Sequence, residues 1–161
     1  MNGSSSRPSR PAALIATCGG IGLFPLAPGT LASFVALFPA WVIADLGGPV
    51  ALALAGLIAL GLGIWAAGAY SRDQRVADPS QVVIDEVAAV WLILAFLPRN
   101  LGAYLAGFVA FRIFDIAKPW PVGWADRKVS GGVGIMLDDL LAGIYALLLA
   151  LAVNHWARRW L

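Results

Sequence analysis

Between Asp45 and Arg72 the chain runs for 26 residues without a formal charge, and from Leu140 to Ala157 it is uncharged again. A helix rises about 1.5 Å per residue, so stretches of this length reach across, or nearly across, a hydrocarbon layer of about 30 Å. A helix also satisfies its own backbone polar groups where no water is present. This restricts the fold to an all-α, polytopic membrane bundle. Composition agrees: 60% of the residues are hydrophobic, 12% are charged and the mean hydropathy is +0.82, far from a soluble average. The net charge is only +2 and the basic residues are scattered, which argues against a nucleic-acid-binding stripe. The single cysteine, Cys18, excludes an internal disulfide and a multi-cysteine metal site.

The punctuation suggests about five spanning helices preceded by a re-entrant or interfacial segment. Residues 1–11 read as a polar N-terminal tail, and 12–161 as one membrane-embedded domain. Residues 12–28 are apolar but contain Gly19, Gly20, Gly22, Pro25 and Pro28, so a straight crossing is not expected there. The same glycines, and the membrane segments that follow, argue against a cleaved signal peptide. Thr30 reads as the N-cap of a helix over 31–46, with Pro39 a candidate kink and "GGP" at 47–49 a turn. Residues 50–70 form the clearest span. Ala55, Ala59, Gly63 and Ala67 recur along it at every fourth position, a ridge for close packing. "DPSQ" at 78–81 predicts a capped helix start running to about Leu97. A further helix is expected over 101–118, then a loop over 119–134, then a last helix over 138–157.

With the N-terminus inside, Arg7, Arg10, Arg72, Arg75, Lys118, Arg127 and Lys128 lie on one side, against Arg99, Arg158 and Arg159 on the other. Basic residues concentrate on the cytoplasmic side, so the first set marks that face.

Five of the nine acidic residues, Asp85, Glu86, Asp115, Asp138 and Asp139, lie in or beside apolar helices. Counted back from the expected outer ends, Asp85 is roughly 20 Å away, Asp115 roughly 21 Å and Asp139 roughly 24 Å. Three helices thus bring carboxylates to one level near the inner face. A hard divalent cation would relieve their repulsion and leave positions for a phosphate. The bland alternative is a set of caps and ion pairs, with Asp138 capping a helix and Asp115 pairing with Arg112 and Lys118. Neighbouring helical residues point about 100° apart. The members of each adjacent pair, Asp85 with Glu86 and Asp138 with Asp139, should therefore do different jobs.

Phosphate handling would fall to Arg112 and Lys118, and to "PLAPGT" at 25–30, where Thr30 and Ser33 add hydroxyls at a helix N-terminus. "SGGVG" at 130–134 matches no nucleotide loop and reads equally well as a flexible loop. Phe24 stands six positions after Cys18, where a cysteine phosphatase needs arginine. The single histidine, His155, falls at the opposite end of the bundle. Phosphoryl chemistry here would have to lean on carboxylates and metal.

Four blocks carry a resemblance. "GLFPLAPGTLAS", "VVIDEVAAVW", "FRIFDIAKPWPVGWADRK" and "GGVGIMLDDLLAG" occur in the order in which the phosphatidylglycerophosphatase A family has them, and cover most of residues 20–145. The resemblance implies a Mg²⁺-dependent enzyme of the bacterial inner membrane, with a multi-pass fold and its active site facing the cytoplasm. It implies a phospholipid substrate, phosphatidylglycerophosphate, whose terminal phosphate is removed to leave phosphatidylglycerol. Asp85, Glu86, Asp115, Asp138 and Asp139 are then expected around the metal. Asp85, Asp115 and Asp139 would serve catalysis, and Thr30, Ser33, Arg112 and Lys118 would bind substrate. A small transporter with an acidic ion pathway is the rival reading, but such a protein would spread its carboxylates through the membrane's depth. A CDP-alcohol phosphotransferase would need a longer aspartate motif that is absent.

Overall fold

The computed structural model describes residues 10–160, so most of the expected tail, with Arg7, lies outside the described residues. Within them the chain is all-helical and contains no strand. Seven α-helices follow in order: α1 (Arg10–Ala16), α2 (Pro28–Val35), α3 (Leu37–Gln74), α4 (Ile84–Leu94), α5 (Leu101–Ala117), α6 (Val122–Lys128) and α7 (Gly131–Trp160). A short 3-10 turn, Ile21–Leu23, joins α1 to α2. Two stretches are long and apolar enough to cross a membrane, Pro28–Gln74 and Gly131–Trp156.

The interior is built of small residues and the exterior of large ones. Alanine supplies 17 of the 32 buried apolar side chains among the described residues, while Leu46, Phe38, Phe96, Ile116 and Trp156 are exposed. A water-soluble core shows the reverse. Where lipid tails are as apolar as leucine, helices associate by close backbone approach, and small residues permit it. The expected ridge does this work: Ala59, Gly63 and Ala67 are buried on α3, with Ala55 half-buried beside them. A Cβ on Gly63 would press on the Met136 side chain of α7. At Gly132 it would run into the Ile64 carbonyl, and at Gly68 it would come within 3.2 Å of the Gly132 nitrogen. α3 and α7 therefore touch main chain to main chain.

Several boundaries differ from the sequence-based expectation. Thr30 is not an N-cap: α2 starts at Pro28, which as the first helical residue has no N–H to leave unsatisfied. Pro39 lies in the first turn of α3 and is tolerated there, so the break falls instead at Gly48, whose φ of 72° leaves the helical region ahead of Pro49. "DPSQ" does not cap a helix. It forms a turn, closed by the Val82 N–H donating to the Pro79 carbonyl at 2.9 Å, and α4 begins only at Ile84. α4 has 11 residues, about 16 Å of helix, less than a full crossing by itself. The expected loop over 119–134 contains α6, and α7 begins at Gly131 rather than at 138. α5 matches its expected bounds, with the Asn100 side chain accepting from the Ala103 N–H at 2.8 Å as a true cap.

Candidate active site

One cleft of about 240 Å³ gathers the chemistry. The loop before α4 brings Asp78 and Ser80, the first turn of α4 brings Asp85 and Glu86, α5 brings Arg112 and Asp115, and α7 brings Asp138 and Asp139. The start of α2, with Gly29 and Thr30, and Lys118 at the end of α5 complete the wall. All five carboxylates singled out in the sequence line this one cleft. His155 lines a separate cavity with Pro49, Pro98 and Leu151, sixteen residues along α7 from Asp139 and so roughly 24 Å away.

The fold supplies reasons for each position. Asp85 and Glu86 occupy the first turn of α4, where free N–H groups and the helix dipole favour negative charge. The Asp85 Oδ1 accepts from the Glu86 N–H at 3.0 Å. Glu86 extends towards α2 and lies against Gly29, where a Cβ would collide with its carboxylate. The glycine of "PLAPGT" is thus a seat for Glu86. Arg112 donates from Nη1 to the Glu86 Oε1 at 3.3 Å and pairs with Asp115 Oδ2 at 2.8 Å, one turn along the same helix. Lys118 bonds to Asp126 on α6 and, at 2.9 Å, to Asp138 on α7. Burial would lower the pKa of Lys118, but the hydrogen bonds to Asp126 and Asp138 outweigh it and hold the ammonium above the ordinary lysine value. It stays protonated at neutral pH.

The adjacent pairs split their roles, as the 100° offset requires. Asp138 faces Lys118, while Asp139, 4% exposed, keeps a buried Oδ2 with no hydrogen-bond partner. On α4, Asp85 bonds to its own backbone neighbour while Glu86 meets Arg112 and leaves Oε2 buried and unpartnered. The cap reading of Asp138 fails, because α7 starts seven residues earlier and Asp138 lies two turns inside it. The pair reading of Asp115 holds for Arg112, whereas Lys118 turns to Asp126 and Asp138 instead.

The chain matches the sequence model of the family described as Phosphatidylglycerophosphatase A over residues 14–154. It is 37% identical over 150 residues to Phosphatidylglycerophosphatase A of Escherichia coli, covering 92% of this chain and 87% of that protein. It is 35% identical over 147 residues to the protein of the same name from Haemophilus influenzae, covering 91% and 90%. The chain belongs to this family. No solved structure matches it.

Within this family member the donor set is all oxygen. Six carboxylates line the cleft, Asp78, Asp85, Glu86, Asp115, Asp138 and Asp139, against two cations, Arg112 and Lys118. Among the described residues no three Asp, Glu, His or Cys side chains stand grouped as a finished metal site. Two carboxylate oxygens, Glu86 Oε2 and Asp139 Oδ2, are nevertheless buried without a partner, which costs free energy unless a cation or proton meets them. A hard divalent ion such as Mg²⁺ fits that chemistry.

Three residues fall elsewhere than expected. Ser33 does not line the cleft: it is fully buried, its Oγ donates to the Gly29 carbonyl, and it meets Arg112 Nη1 at 3.5 Å. Its place is behind Arg112. Asp78 reads in sequence as a helix cap, yet it lines the cleft because that helix starts later. Asp126 falls in the loop expected over 119–134 and is the weaker site candidate on sequence, yet it sits on α6 and anchors Lys118. Ala27 and Lys118, which both line the cleft, have positive φ, 46° and 42°. A left-handed backbone is costly for residues with a Cβ and collects at functional sites.

Proposed function

We propose that this cleft removes the terminal phosphate of phosphatidylglycerophosphate, giving phosphatidylglycerol and inorganic phosphate. The observation that carries the reading is the charge imbalance of one cleft, six carboxylates against two cations, with Asp85, Asp138 and Asp139 buried. Arg112, Lys118 and Thr30, with the first N–H groups of α2, are the donors that can hold phosphate oxygens. A Mg²⁺ bound by Asp85, Glu86 and Asp139, with Asp115 and Asp138 beside them, would supply positive charge to the phosphomonoester oxygens. Asp85, Asp115 and Asp139 are the carboxylates within the cleft that can orient a water or take its proton. Asp115 and Glu86 hold the Arg112 guanidinium, and Asp126 and Asp138 hold Lys118, so both phosphate donors are fixed before substrate arrives.

The proposed setting is a bacterial inner membrane, with residues 12–161 forming one embedded catalytic domain, about five crossings and a re-entrant entry segment. The small-inside, large-outside packing supports embedding, and Arg10, Arg72, Arg75, Arg127 and Lys128 favour a cytoplasmic cleft. Clustering of carboxylates in one cleft, rather than along the depth of the bundle, supports an enzyme over an ion pathway.

The test is phosphate release from phosphatidylglycerophosphate by the protein in detergent. EDTA should abolish it and Mg²⁺ should restore it. Full turnover in excess EDTA would overturn the metal, and proton-coupled transport without phosphate release would overturn the enzyme. Sidedness is checked in a Cys18→Ser background, where Ser130→Cys should resist an impermeant thiol reagent applied outside intact cells. Ready labelling there would reverse the orientation.

A further inference from the structure

The cleft has an apolar neighbour that the chemistry above does not use. A groove of about 440 Å³ runs beside α2 along α5, lined by Phe108, Val109, Ile113, Ile116 and Ala117. From Phe108 to Ala117 is about 14 Å of helix. Val109, Ile113 and Ile116 are each at least half exposed, and all carry hydrocarbon only. Two residues line both the groove and the polar cleft: Thr30 and Arg112. One turn further along each helix, away from the cleft, Phe34 of α2 meets Phe108 of α5 edge to face, with ring centres 5.7 Å apart. That contact borders the groove on the side of Arg112 that faces away from Lys118.

We propose that this groove seats one acyl chain of the lipid substrate, with Thr30 and Arg112 at the junction between headgroup and tail. The proposal rests on the phosphatase reading for the identity of the headgroup. Its structural basis is continuity: a molecule with a phosphate in the cleft and a hydrocarbon tail must leave across some edge, and this edge is shared. A second apolar groove, about 300 Å³ between α4 and α7 and including Leu92, Phe96 and Ile144, shares no residue with the cleft. The bilayer is as apolar as either groove, so seating a tail adds little affinity. Its effect is orientation. A tail held along α5 fixes the rotation of the glycerol backbone and so the approach of the phosphate, and misplacement by about 1 Å can cost about 100-fold in rate.

Filling the groove should therefore lower the preference for long chains. For Val109→Trp and Ile113→Trp, the ratio of kcat/KM on dipalmitoyl to dihexanoyl phosphatidylglycerophosphate should fall about tenfold. A ratio that stays at the wild-type value in both variants would overturn the proposal. A second measurement uses the unmodified protein. Phosphatidylglycerophosphate with a diazirine in one acyl chain is photolysed in vesicles, and the labelled residues are mapped. Labelling of residues 108–117 should exceed that given by phosphatidylcholine with the same chain, and unlabelled phosphatidylglycerophosphate should compete it away. Equal labelling by the two probes, or headgroup-dependent labelling at Leu92 and Ile144 instead, would overturn the groove assignment. If the wild type released no phosphate, the functional reading would fall, while the cross-link would still decide where the tail lies.

Discussion

Among the described residues, arginine meets carboxylate at two places. Near the far end, Arg99 pairs with Asp45 while its guanidinium lies over Trp41, 5.3 Å from the ring centre. Both partners there are about half exposed, at 42% and 55% of the side chain. In the cleft, Arg112 meets Asp115 and Glu86, and all three side chains are 13–16% exposed. The far pair is balanced one to one and bathed in a polarisable medium, so it is worth about 0–1 kcal/mol. The cleft holds six carboxylates and two cations, and Asp85, Asp138 and Asp139 are buried there, while Asp78 and Lys118 stand at the more open rim. There the same residue types cannot be explained as stabilisers, because a buried unpaired carboxylate costs more than an ion pair returns. An excess of one sign, largely withdrawn from water, is a binding site for the opposite sign.

The sharpest way to break this contrast is to remove one negative charge while keeping its shape. Asp139→Asn should lower kcat by at least about 100-fold, because a negative charge that would hold the cation or orient the attacking water is lost. Membrane insertion and the helical circular dichroism should be retained. Asp115→Asn should behave in the same way, with a further loss of order because Arg112 then keeps only Glu86 as a charged partner. If both variants kept near-native rates, the excess of carboxylates would be ornamental and Asp85 with Glu86 would have to carry the ion.

Next in size is Arg112→Lys. A lysine keeps the charge but cannot bridge Glu86, Asp115 and a phosphate with one planar fork, and about 10–100-fold in kcat/KM should be lost. Gly29→Ala tests the seat of Glu86. A methyl group there must push the carboxylate aside, and activity should drop about tenfold while a thermal melt of the purified protein changes little. A fully active Gly29→Ala variant would show that the position of Glu86 is not critical. The smallest effect belongs to the far end. Asp45→Asn should leave phosphate release within about twofold and stability within about 1 kcal/mol. A large loss of activity there would mean that the two ends are coupled, and the contrast would collapse.

How much of this could be read beforehand differs between the site and the fold. Five of the six carboxylates of the cleft were legible because charge inside an apolar run is costly, and the helical rise converts sequence spacing into depth; Asp78 was not, because it precedes the apolar run. Arg112, Lys118 and Thr30 followed from their proximity to that level. What failed was local punctuation. Asp78, Pro79 and Gln81 have the chemistry of a helix start, but Val82 and Val83 pack as an irregular link into the core before α4 can begin. α6 was hidden because seven residues rich in polar and aromatic side chains show no helical period. The true start of α7 was masked by "GGVG", since glycine is a poor helix former alone. Gly132 is there for the crossing with α3. Tertiary contact overrode propensity at each of these points, and a single sequence does not display its contacts.

The packing of small residues within and large ones without also decides which positions are free to drift. In a water-soluble protein the surface tolerates exchange and the core resists it through shape. Here the outward side chains meet fluid hydrocarbon, which conforms to any apolar outline, so Leu, Ile, Val and Phe should interchange there with little consequence. The alanines and glycines along the inner seam have no smaller neighbour to yield to and no room to grow. At Gly132 a single methyl would pry α7 from α3 less than two turns before Asp138 and Asp139. The lineage of such a protein should therefore vary over its greasy exterior and stand nearly still along one narrow line of its smallest residues.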